Sequence, residues 1–188
     1  AWEFNLAANQ WQKPNYGPSS ISFYTFAGHA MCSLGNGHVV LCGGQKGNVF
    51  NKDSYLLGFD PSDSEIQVSS IEGNSPLPLS ARASHAMAPL GEEGKILMFG
   101  GMGISNSMDA YISPAFDHEL YATWLLDHGH WTKIINGDYG NSNPLTQPTA
   151  QAYHAMASLG DGNVLMFGGE FIRTGPRGYQ YHFNDTWL

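Results

Sequence analysis

Apolar positions along this chain fall in short runs separated by glycine-rich polar turns, and three stretches carry them in one order. Gly28-His29-Ala30-Met31 leads to Leu41-Cys42-Gly43-Gly44, Ser84-His85-Ala86-Met87 to Met98-Phe99-Gly100-Gly101, and Tyr153-His154-Ala155-Met156 to Met166-Phe167-Gly168-Gly169. Each reads His-Ala-Met, a turn of small residues, an apolar strand and a Gly-Gly doublet. Runs this short, bounded by turn residues, have the length of strands and not of helices. The turns Gly35-Asn36-Gly37, Gly91-Glu92-Glu93-Gly94 and Gly160-Asp161-Gly162-Asn163 are rich in residues that tolerate positive φ, so each unit is expected to contain a β-hairpin.

Beyond each doublet come a variable loop and a further strand with aromatic or apolar residues, as in Asp53-Ser54-Tyr55-Leu56-Leu57 and Tyr121-Ala122-Thr123-Trp124-Leu125-Leu126-Asp127. Trp131 follows Trp124 after one short turn. The third unit runs to Asn184-Asp185-Thr186-Trp187-Leu188, and the segment from Trp2 to Trp11 reads like the hairpin that would continue it. The expected organisation is a single all-β domain over 1–188. Residues 1–25 close a preceding unit and link onward, 26–82 and 83–150 are full units, and 151–188 is an incomplete one.

The triplicated pattern resembles the kelch repeat: a histidine-bearing first strand (His29, His85, His154), a doublet closing the second strand (Gly43 and Gly44, Gly100 and Gly101, Gly168 and Gly169), and a spaced aromatic pair (Trp124, Trp131). The resemblance covers essentially the whole chain. It implies β-propeller blades, four-stranded antiparallel sheets packed radially around a channel, usually four to eight of them. Kelch repeats run near 50 residues, whereas here the doublets stand 57 and 68 positions apart, and the basic residue usual before the histidine survives only as Arg82. The extra length is expected in loops. Three blades cannot close a ring, so other blades of a longer protein, or a second copy of this chain, are expected to complete it, the longer protein being the favoured reading. The wording is also similar to exported kelch proteins, which implies an extracellular or secreted location, with the cytoplasm as the alternative.

Composition narrows the partner. A formal net charge of −8 lacks the basic footprint that neutralises nucleic-acid phosphates. No apolar stretch approaches the roughly 20 residues of a membrane span. Two cysteines, Cys32 and Cys42, exclude a disulfide-dense scaffold and a four-cysteine zinc site. They stand on the two strands of one hairpin, which leaves a cross-strand disulfide or two buried thiols. The corresponding residues elsewhere, read as Ala88 with Met98 and Ala157 with Met166, favour thiols.

If strands alternate up and down, the loops after the second and fourth strands share one face and hold nearly all the excess length. They carry Phe50, Tyr111, Phe116, Phe171, Arg173, Arg177, Tyr179 and Tyr181, the residue types that anchor binding surfaces. The competing use of those aromatics is to seal the top of the scaffold.

Candidate chemistry is sparse. The equivalent histidines suggest a ring of imidazoles around a metal, but equivalent positions in successive blades need not converge, and hydrogen bonds to neighbouring backbone explain them better. His128-Gly129-His130 lacks a nearby third ligand, and His118 and His182 are scattered. The acidic run from Asp60 to Glu65 lacks the glycine and distal glutamate of a twelve-residue calcium loop. No nucleophile elbow or phosphate-cradling loop is present, so no catalytic residue, metal or cofactor is expected. A binding scaffold for a protein or glycan is the leading functional reading. The alternatives are part of a propeller enzyme similar to galactose oxidase, whose ligand constellation finds no match here, and a self-assembling ring or extracellular array component.

Overall fold

The computed structural model describes residues 2–16, 26–60, 65–71, 79–91, 94–103, 120, 122–135, 148–173 and 179–188, with the backbone alone described at 16, 60, 172, 173 and 179. Among these residues the chain is all-β, with no α-helix. No helix among them is long and apolar enough to cross a membrane.

Three antiparallel sheets carry the repeat. In the first, β4 (Ala30–Gly35), β5 (His38–Cys42), β8 (Ser54–Asp60) and β9 (Glu65–Ile71) pair in chain order, and the short β3 (Asn15–Tyr16) adds itself parallel to β9. In the second, β10 (Ala86–Pro89), β11 (Lys95–Phe99), β12 (Thr123–Asp127) and β13 (His130–Ile135) form the same meander. The third contains β14 (Ala155–Ser158), β15 (Val164–Phe167) and β18 (Thr186–Trp187). Three small hairpins stand apart from these sheets: β1 (Glu3–Asn5) with β2 (Gln10–Gln12), β6 (Gln45–Lys46) with β7 (Val49–Phe50), and β16 (Glu170–Arg173) with β17 (Tyr179–His182).

Local sequence explains the tight reversals. Between β4 and β5, Asn36 and Gly37 have φ of 44° and 78°, and between β12 and β13, His128 and Gly129 have 46° and 82°. Two consecutive positive φ values give the two-residue turn whose twist matches that of the flanking strands. Asparagine and glycine accept that conformation at little cost.

Register sorts the side chains into faces. Ala30 pairs with Cys42, Cys32 with Val40, and Cys42 with Ser54, so these residues share one face of the first sheet. That face meets Met87, Ile96, Met98, Trp124, Leu126 and Trp131 of the second sheet, and together they form the main core. Trp124, Ile96 and Met98 are wholly buried, and burying an Ile or Met side chain contributes roughly 1.5–3 kcal/mol. Inside this core the Trp131 indole N–H donates to Ser54 Oγ at 3.1 Å, and the Ser54 hydroxyl donates to Cys42 Sγ at 3.3 Å, a polar line crossing from one sheet to the next.

The two cysteines are free and buried. They are diagonal neighbours and not a directly opposed pair, because Cys32 faces Val40 and Cys42 faces Ala30. Counting back from the doublets also corrects their correspondence. Cys42 is level with Phe99 and Phe167, each the last residue of its strand, and not with Met98 and Met166. The one-residue difference decides the face: Phe99 points at the third sheet while Met98 points at the first.

Candidate functional site

The doublets organise both the junctions between sheets and the loops that leave them. The first glycine has φ of 66°, 68° and 67° at Gly43, Gly100 and Gly168. A Cβ on Gly43 would lie 2.8 Å from His85 Cε1, and one on Gly100 would lie 2.7 Å from His154 Cε1. The histidine ring of each following unit therefore occupies the room that glycine leaves. The second glycine donates its N–H across the same junction, Gly44 to the Arg82 carbonyl at 2.8 Å and Gly101 to the Gln151 carbonyl at 3.0 Å.

A second series runs beside this one. Gly28, Ser84 and Tyr153, each just before a repeat histidine, all have positive φ (68°, 57° and 60°). The Ser84 N–H donates to the Gly28 carbonyl at 2.7 Å, and the Tyr153 N–H donates to the Ser84 carbonyl at 2.9 Å. A left-handed residue is costly for serine and tyrosine, and the bond to the neighbouring unit compensates for it. Glycine at 28 hinted at this position; Ser84 and Tyr153 hide it.

The histidines do not act as the sequence suggests. Neither ring nitrogen of His85 or His154 has a hydrogen-bond partner among the described residues. Packing holds these rings: His154 stacks edge-on against Phe99 with centroids 5.6 Å apart. Burial pushes the His85 imidazole down to about 3, helped by the Arg82 guanidinium. It pushes His154 down to about 4 against a small opposing effect of the Phe99 backbone. Both rings are neutral at physiological pH. His29, at the equivalent place in the first unit, is exposed, with Nδ1 3.3 Å from the Phe26 carbonyl. Arg82 is wholly buried and donates to the Gly100 carbonyl, the Ser80 carbonyl and Ser80 Oγ. That explains why the basic residue before the histidine persists in this unit.

The doublets also anchor the inserted hairpins. Gly43 N–H donates to the Asp53 carbonyl at 3.1 Å, and Asn51 N–H to the Gly44 carbonyl at 2.8 Å. In the third unit Gly168 N–H donates to the Asp185 carbonyl at 3.2 Å, and Phe183 N–H to the Gly169 carbonyl at 2.9 Å. The same two bonds thus close the base of β6–β7 and of β16–β17. Each hairpin is also tied to its unit's entry segment by a reciprocal pair, Ala27 with Gln45 and Ala152 with Glu170.

On β16–β17, Phe171 faces Tyr181 and Arg173 faces Tyr179 in register. Phe171 is half-buried, whereas Tyr181 is 60% exposed. Glu170 at the hairpin base accepts from the Gln180 amide at 2.5 Å and lies 3.6 Å from His182 Nδ1. Phe50 belongs to the separate β6–β7 sheet, half-buried, beside exposed Val49. Four of the expected residues therefore share one hairpin and Phe50 does not join them. Tyr111, Phe116 and Arg177 lie outside the described residues, as does His118. Sequence reading missed Val49, Glu170, Gln180 and His182, whose only signal is their place in a short alternating hairpin.

Among the described residues no group of three His, Cys, Asp or Glu side chains is placed to hold a metal ion. His128 Nδ1 lies 2.6 Å from Asp127 Oδ1 on an exposed turn, away from any third donor.

No protein-family model and no curated protein sequence matches this chain. Solved structures do resemble it. One is a chain from a cryo-EM structure of RAG in complex with one melted and one unmelted RSS, with a TM-score of 0.62 at 13% identity over 97% of this chain. The match spans 58% of that chain's length. At such identity the likeness is one of fold alone.

Proposed function

We propose that this chain is part of a kelch-type β-propeller that acts as a non-catalytic binding scaffold, presenting its inserted hairpins to a protein or glycan. The observation that carries this reading is the identical anchoring of β6–β7 and β16–β17. Both leave a unit directly after its doublet, and both are pinned by the same two backbone bonds. A rigid frame with variable loops at a repeated place is the arrangement on which binding residues gather. The repeated junctions and the four-stranded meanders support the propeller reading, and the acidic surface supports an extracellular protein partner or glycan over nucleic acid.

Phe171 and Tyr181 form the proposed contact point. Their cross-strand pairing holds one aromatic side chain against the other, and Tyr181 offers an exposed ring with a polar tip, which suits a sugar face or a peptide side chain. The test is capture on a glycan array and from a displayed random-peptide library. The parent chain should select a narrow set, and the Phe171→Ala/Tyr181→Ala double variant should bind that set at least about tenfold more weakly with an unchanged melting temperature. Unchanged capture by the variant sinks the reading.

A further inference from the structure

We propose that the chain associates head to tail with a second copy of itself, the leading edge of one copy docking on the trailing edge of the other through a third example of the junction that already joins its units. The proposal is independent of the loop-face reading. Its starting point is an inequality between residues that the repeat makes equivalent.

The phenylalanine or cysteine that closes the second strand is buried in the first two units, at 0% exposure for Cys42 and 4% for Phe99, but Phe167 is 55% exposed. The repeat histidine is buried at 6% and 7% in His85 and His154, but His29 is exposed. In each case the covered residues are covered by the adjoining unit. Phe99 is covered by His154, and Cys42 by the second sheet, whose Met98 Sδ lies 4.0 Å from its sulfur. The molecule thus carries two complementary unused halves of one interface.

The cradle shows the same complementarity at atomic detail. Cβ positions on Gly43 and Gly100 run into the next unit's histidine ring, whereas one on Gly168 meets nothing closer than the Phe183 carbonyl oxygen at 3.5 Å. The backbone at Gly168 nevertheless holds φ of 67°, matching the other two, so the cradle is formed before anything fills it. His29 of a second copy carries the matching ring, and Gly28 before it has the left-handed conformation of Ser84 and Tyr153. Docking would place the His29 imidazole over Gly168 and extend the series of carbonyl-to-amide bonds from Tyr153 of one copy to Gly28 of the other. It would also cover Phe167. Because leading and trailing edges differ, the contact is heterologous, and repetition of it closes a ring or extends a filament.

Light scattering across a concentration series tests this. The chain has a mass of 20.5 kDa, and the proposal expects a reversible assembly at a multiple of it. His29→Ala and Phe167→Glu alter side chains that are exposed in the single chain, so each should retain the parent's circular dichroism and lower the mean mass by at least about twofold. A parent that stays at single-chain mass up to high concentration overturns the proposal, and so does an assembly that survives both substitutions. Either result leaves the capture experiment on the hairpin face to be decided separately.

Discussion

Cε1 of His154 lies 2.7 Å from the point where a Cβ on Gly100 would stand, so the third unit enters the second through a space that only glycine leaves open. His85 and Gly43 repeat the arrangement one unit earlier, at 2.8 Å. The spacing that marked the repeat in the sequence is therefore a packing constraint between units. The histidine is retained for the shape of its ring, and the glycine for both its positive φ and its missing side chain.

That arrangement makes stability depend on pH. The folded chain holds His85 at about 3 and His154 at about 4, below the roughly 6.5 of an unfolded histidine. The unfolded state therefore binds more protons between these values, and stability rises with pH through that window. The stabilisation is complete above about pH 6.5 and is lost as pH falls toward 3, amounting to on the order of 3–5 kcal/mol per ring. Urea melts at pH 7, 5 and 4 should show the midpoint falling steadily, and a His85→Gln/His154→Gln variant should flatten the dependence. A parent midpoint constant from pH 7 to 4 contradicts the burial of neutral rings.

The bond from Trp131 to Ser54 joins the outer strand of the second sheet to the first. Trp131→Phe should lose it while keeping most of the apolar contact, at a cost of about 1–2 kcal/mol. Ser54→Ala should cost a similar amount, because it leaves a buried indole N–H without an acceptor. In the double variant the two losses should not add, and a double-mutant cycle with zero coupling argues against the bond.

Both thiols should be slow to react. Burial raises the Cys32 thiol to about 11 and also raises Cys42, against the opposing effects of the Ser54 hydroxyl and the Arg82 guanidinium. Little thiolate is present at pH 8. In native buffer a thiol reagent should label the chain at least about a hundredfold more slowly than free cysteine. Alkylation in denaturant without reductant should add two labels, and a mass showing none would mean that Cys32 and Cys42 are joined.

Much of this architecture was legible in advance, for a physical reason. A junction that needs a glycine without Cβ, a second glycine donating across it and a ring to fill the gap writes itself into the sequence at every repetition. Turn chemistry was equally readable at Asn36-Gly37 and His128-Gly129, where consecutive positive φ values restrict the residues allowed. Ser84 and Tyr153 were not readable as left-handed, because the bonds that compensate for their strain come from residues more than fifty positions away. The lack of hydrogen bonds to His85 and His154 was hidden similarly, since composition cannot tell a ring held by packing from one held by donors. Of the binding face, the sequence located the loops but not that Phe171 and Tyr181 would face each other, a matter of register settled by the bonds that close the hairpin base.

The most direct test of the account compares Gly100→Ala with Gly168→Ala by thermal unfolding. Both positions have the same positive φ, 68° and 67°, so both variants suffer the backbone strain of a left-handed alanine, about 1–2 kcal/mol. Only at Gly100 does the new methyl also run into the Gln151 carbonyl oxygen and the His154 ring. Gly168→Ala should lower the melting temperature by about 2–8 °C, and Gly100→Ala by well over about 10 °C or to the point of not folding. Equal shifts in the two variants would contradict the claim that a histidine of the next unit takes the place of the glycine side chain.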